Sequence, residues 1–180
     1  MFFISTLSFV SKGQEFMGVK VEGDKTTFIN QFKAKGFAVI GDPSSDAVLM
    51  RGTISGKAYE LVVVSTPKTK KIWKLSVFLP EVTSWNSIKR EYENYLNILI
   101  EKYGAPDKTY RFFSSPYEEG DGYEMSAITL EKCVYSAYWS ESVGVSIQIS
   151  KYKQIKIAYE NAKNSLLDDT EKKELNSKIF

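Results

Sequence analysis

The chain of 180 residues carries 24 lysines and arginines against 22 aspartates and glutamates, a net charge of +2, and 43% of it is apolar and 14% aromatic. Such a length can bury roughly 70% of the unfolded surface, and the near-zero charge gives no broad field to steer it toward nucleic acid or an anionic membrane. The absence of histidine and the single cysteine, Cys133, exclude histidine-dependent triads, histidine-ligated zinc and iron sites, and an internal disulfide.

Residues Phe2 to Val10, FFISTLSFV, form an apolar run of signal-peptide length, well short of the ~20 residues a membrane-spanning helix needs. Ser11 and Gly13 are the small residues a signal peptidase reads before a cut at Gln14. Residues 1–13 are therefore expected to be a signal peptide that lacks a basic leading segment, the alternative being a first strand in the core. No cysteine follows the run, so no lipid anchor is indicated.

The segment EFMGVKVEG reads as a short strand closed by a turn at Glu22-Gly23. In DKTTFINQFKAKGF, Phe28, Ile29 and Phe32 fall at helical spacing, with Asp24 placed as N-cap and Gly36 at the helix end. Three antiparallel strands follow, AVLMRG, KAYELVVVS and KKIWKLSVFLP, the last alternating so that Trp73, Leu75, Val77 and Leu79 share a side. The clearest element is TSWNSIKREYENYLNILIEKYGAP, where Trp85, Ile88, Tyr92, Tyr95, Leu96, Leu99 and Tyr103 recur at three- and four-residue steps. Thr83 or Ser84 caps this helix and Gly104-Ala105-Pro106 stops it.

Strands resume with TYRFFS, continue through YEMSAITLEKCVYSAYWS as two segments, and end with GVSIQIS and QIKIAYE. Beyond Tyr159 the polar LLDDTEKKELNSKIF predicts a short, frayed terminal helix. The fold class is thus α+β: an antiparallel sheet with two main helices packed on one face, in a domain of residues 14–160 followed by a partly helical tail, 161–180. Residues 16–80 and 81–160 repeat one plan, read either as a duplicated α-β-β-β unit or as two generic helix–sheet units in one domain.

The stretches FMGVKVEGDKTTFINQFKAKGF, KLSVFLPEVTSWNSIKREYENYLNILIEKYGAP and IKIAYEN resemble a group of small exported bacterial proteins of unassigned activity, over about residues 16–161. In architecture the arrangement is similar to the β-lactamase inhibitor protein and to outer-membrane assembly lipoproteins of BamE type, although it lacks their paired or lipidated cysteines. The resemblance implies export and a binding role, and it transfers no catalytic residue.

Several groups of residues are candidate sites. The loop SSPYEEGDGYE gathers Glu118, Glu119, Asp121 and Glu124, carboxylates of the kind a hard cation takes, but at no EF-hand spacing, so it reads as a solvated loop and no metal is expected. Lys68, Lys70, Lys71 and Lys74 surround a hairpin, where they serve to block edge pairing. Cys133, without an activating histidine, reads as a small buried hydrophobe. In YSAYWS, Tyr135, Tyr138 and Trp139 cannot all point inward on one alternating strand, which makes them the candidate binding surface.

The carboxylate pairs Glu91/Glu93, Glu118/Glu119 and Asp168/Asp169 are not compelled into a pocket by their neighbours. The expectation is a periplasmic or secreted protein without enzymatic activity or cofactor, which binds another protein, not nucleic acid, and has no integral membrane segment. Two alternatives stand beside it: a small apolar-ligand carrier, and a cytosolic adaptor or immunity-type inhibitor should the N-terminus be retained.

Overall fold

The structure is a computed structural model that describes residues 14–140 and 143–178; the proposed signal peptide lies outside the described residues. In chain order the elements are β1 (Glu15–Phe16), β2 (Val19–Lys20), α1 (Lys25–Lys33), β3 (Ala38–Ile40), β4 (Ala47–Ile54), β5 (Lys57–Ser65), β6 (Ile72–Phe78) and α2 (Trp85–Tyr103). They continue with β7 (Lys108–Phe113), α3 (Glu124–Thr129), β8 (Cys133–Trp139), β9 (Val145–Ile149), β10 (Ile155–Glu160) and α4 (Ala162–Asn176).

Eight strands form one antiparallel sheet in the order β3-β4-β5-β6-β10-β9-β8-β7. Each half is a helix followed by a four-stranded meander, and the two meanders meet through their last strands, with Leu75 opposite Tyr159 and Val77 opposite Ile157. Alternation with period two then sorts the side chains between the faces. Met50, Leu61, Val63, Leu75, Val77, Ala137, Trp139 and Ile147 point to one side and are fully buried.

The long helix α2 covers that side with Trp85, Ile88, Tyr92, Leu96 and Leu99 buried, the stripe its spacing predicts. Gly104, at φ 87°, ends it. Ser84 occupies the cap position, but its hydroxyl bonds Ser87 Oγ at 2.9 Å and leaves the backbone N–H groups uncapped. In α1, Asp24 accepts from the N–H groups of Thr26 and Thr27 at 2.9 and 3.3 Å, as an N-cap should. Phe28 and Phe32 of α1 join the same core, Phe32 meeting Phe37 edge-on at 5.7 Å.

Five features differ from the sequence reading. The half read as three strands has a fourth, the three-residue edge strand β3. The EFMGVKVEG segment is a two-strand hairpin, because Met17 and Gly18 both take positive φ, the backbone of a tight two-residue turn. The first of the two strand segments expected before Trp139 is the helix α3, which buries Glu124, Ala127 and Ile128; so short an apolar run fits either period. A bulge between Val64 and Ser65 leaves Trp73 without a partner on β5, so its ring faces α4 instead of joining the Leu75 and Val77 row.

Last, the polar C-terminal segment is a docked fifteen-residue helix, α4. It lies on the opposite side of the sheet from α2, at the end of β6 and β10, where its Ala162, Ser165 and Leu166 border Tyr138, Ser146 and Glu160. Only Asp168 and Glu171 of α4 are buried, so it is held through polar contacts that a search for apolar stripes does not register.

Gly52 fixes how closely β4 approaches the α1 end of the core. A Cβ there would lie 2.6 Å from two ring atoms of Phe37. Gly52→Ala is expected to destabilise the protein by about 1–3 kcal/mol, the usual cost of overpacking, measured as a lowered denaturant midpoint.

Candidate functional site

The second face of the sheet is the one that α4 covers only at its end, and the register places its residues in rows running across the strands. One row is continuous over seven strands: Tyr110 opposite Ser136, Ser136 opposite Gln148, Gln148 opposite Lys156, Lys156 opposite Phe78, Phe78 opposite Glu60, and Glu60 opposite Arg51. Val62 and Val64 of β5, Val134 and Tyr138 of β8 and Ser146 of β9 flank the row, all half-buried. Phe112 and Tyr110 on the edge strand β7 are 48% and 45% exposed. The face is therefore mixed: aromatic at the β7–β8 wing, polar at the centre, and on the other wing Val62 and Val64 beside the Glu60–Arg51 ion pair.

Among the recesses that open on this side are two at the ends of the face. One of about 540 Å³ is bordered by Glu60, Val62, Phe78 and the β9–β10 turn with Tyr152 and Gln154. The other, about 430 Å³, lies between α4 and the sheet, against Tyr138 and Leu166. By contrast, the space between α2 and the sheet is filled by Tyr92, Leu96, Ile147 and Trp139, each no more than 4% exposed.

Of the aromatic trio on β8, only Tyr138 lies on the open face, where its ring meets Tyr110 edge-on at 6.0 Å. Tyr135 and Trp139 alternate to the core. Trp139 is fully buried and donates from Nε1 to the Gly104 carbonyl at 2.8 Å. Tyr135 packs edge-on against Trp85 at 5.2 Å and Tyr92 at 5.7 Å, and its hydroxyl donates to Glu119 at 3.0 Å. Burial, reinforced by that carboxylate, pushes the Tyr135 hydroxyl pKa well up.

The acidic loop is knitted to itself and to the body. Asp121 accepts from the N–H groups of Glu118 and Tyr123 at 2.9 and 2.7 Å, and Glu124 accepts from Gly120 N–H at 2.9 Å. Glu119 pairs with Lys89, and that bond holds its carboxyl below the usual range. Among the described residues no group of three or more cysteine, aspartate or glutamate side chains is arranged to hold a metal ion. Cys133 is buried, and burial raises its thiol to about 12, which keeps it protonated and unreactive at neutral pH.

The lysine-rich turn is where α4 attaches. Glu171 accepts from the N–H of Lys68 at 2.6 Å, the N–H of Thr69 at 3.2 Å and the Thr69 hydroxyl at 2.5 Å, while Glu174 pairs with Lys68. Lys70 pairs with Asp46 at 2.7 Å, and Lys74 with Glu160 across the β6–β10 seam. Asp168, 3% exposed, pairs with Lys172 at 2.6 Å, and the same ammonium lies 5.9 Å over the Trp73 ring. Of the charges on the open face, Lys156, Glu60 and Arg51 are ones that composition and turn signals did not single out. The consecutive valines Val62, Val63 and Val64 carried the available hint, since such a run marks a strand partly covered on both sides.

Comparison with protein-family models, with curated proteins and with solved structures gives no match to this chain. The functional reading accordingly depends on its own geometry. No helix among the described residues is long and apolar enough to cross a membrane.

The α4 attachment has a pH signature. Burial raises the Glu171 pKa, but the hydrogen bonds from Thr69 and Lys68 outweigh it and leave the group below its ordinary value. A depressed folded pKa gives stability that is present above the unfolded value, about 4.3, and lost as pH falls through the folded one. The stability gap between wild type and Glu171→Gln is thus expected to be widest above about pH 5 and to close in acid, read from denaturant midpoints across that range.

Proposed function

We propose that this protein is a non-catalytic binding module that takes another protein onto the open face of its sheet. The observation that supports the reading is the row of residues across seven strands, with half-buried apolar and aromatic side chains on either side, set on a continuous hydrogen-bonded sheet. A rigid surface of this kind loses little conformational freedom on binding. Its aromatic wing, Tyr110, Phe112 and Tyr138, is of the residue types that dominate interface energetics.

A partner captured from the native cell is expected to bind at least tenfold more weakly to Tyr138→Ala or Val62→Arg, a loss of about 1.4 kcal/mol or more. The melting temperature should stay near that of the wild type. Unaltered affinity in both folded variants would reject the open face.

The proposed location is the periplasm or the exterior, supported by the apolar run Phe2–Val10 and the small residues Ser11 and Gly13. The intact mass of protein recovered from its native cell should lack residues 1–13. Recovery with them in place would reject export and favour the cytosolic adaptor.

A further inference from the structure

On the reading that the open face binds protein, its charge pattern narrows the kind of partner. The charges around the centre of that face are matched within the chain: Arg51 with Glu60 at 2.5 Å, Lys74 with Glu160, Lys153 with Glu81 at 3.5 Å and Lys151 with Glu131 at 3.6 Å. Apart from Lys108, exposed on the edge strand β7 opposite Tyr138, Lys156 is the exception. Its ammonium lies 5.8 Å over the Phe78 ring and makes no ion pair or hydrogen bond within the described residues. It stands on β10, one of the two strands that join at the middle of the sheet.

The surroundings of Lys156 are poor in water-like partners. Burial, followed by the neighbouring charge of Lys74, lowers its pKa, and Glu160 opposes this only in part. Beside it in the row are the Gln148 amide and then Ser136, which is 3% exposed and whose Oγ has no hydrogen-bond partner. Ammonium, amide and hydroxyl thus lie side by side on adjacent strands about 4.8 Å apart. Phe78 bounds them at one end of the row and Tyr110 at the other.

We infer that the open face recognises an acidic protein segment, in which one aspartate or glutamate flanked by apolar side chains sets its carboxylate on Lys156, with the Gln148 amide as a further donor. A single cation matches a monovalent carboxylate better than a doubly charged phosphate. The aromatic wing and the valines Val62 and Val64 match a peptide's neighbouring side chains. A half-buried ion pair with added hydrogen bonds is the charge-assisted kind that gives both affinity and register.

The test is selection of a library of displayed 12-residue peptides against the immobilised protein, followed by affinity measurement of the synthesised winners. The expected winners carry Asp or Glu between apolar residues. They should lose about tenfold or more in affinity on Lys156→Met, which keeps the stem and removes the charge, and retain affinity within about threefold on Lys156→Arg. Lys156→Glu should select lysine- or arginine-bearing peptides instead. Melting temperatures establish that each variant is folded.

Winners without a carboxylate, or winners indifferent to Lys156→Met yet abolished by Val62→Arg, would overturn the acidic partner and leave the binding face standing. Winners indifferent to both substitutions, or no winners at all, would count against the face itself.

Discussion

The seam between β6 and β10 is the constraint on which the rest depends. Five residue pairs, from Lys156 opposite Phe78 to Glu160 opposite Lys74, join two four-stranded meanders into one sheet. Without that join each half would be a small four-stranded sheet with one main helix and a long exposed edge. With it, Leu75, Val77, Ile157 and Tyr159 become the centre of a common core. The seam also holds one ion pair, Lys74 with Glu160, on the face away from α2.

The two faces are stabilised by different forces. The α2 side is an apolar interior, where each fully buried large side chain contributes about 1.5–3 kcal/mol. The other side is finished at one end by α4, which buries two carboxylates and is fastened by Glu171 to backbone N–H groups of the Lys68-Thr69 turn. Charge-assisted bonds to backbone N–H are directional, so they fix where α4 lies and stop it from spreading over the sheet. The remainder of that face is left available by the same arrangement.

Much of this was legible in the sequence. Three-and-four spacing gave α2, alternation gave β5, β6, β9 and β10, and Asp24 marked the start of α1. The β1–β2 hairpin and α3 were missed through local ambiguity, a two-residue turn and a short run that fits either period, and the rest depended on contacts distant in the chain. Tyr135, Tyr138 and Trp139 could not be sorted into faces until the pairing of β8 with β9 fixed the register. The docking of α4 depends on Glu171 meeting a turn 102 residues earlier, which no local period encodes. Lys156 looked like any polar residue on an alternating strand, and only the pairing of its neighbours makes its charge distinctive.

The core and the open face are products of one register. On β10, Ile155, Ile157 and Tyr159 are buried while Lys156 stands between them on the opposite side. A slip of one residue against β6 or β9 would turn Lys156 into the core and bring three large apolar side chains out. The cost of that exchange is the loss of their burial plus the desolvation of a charge, so the interior enforces the placement of the surface row. The order Tyr110, Ser136, Gln148, Lys156, Phe78 is thus held by the packing on the other side of the sheet, and a ligand would meet it already assembled.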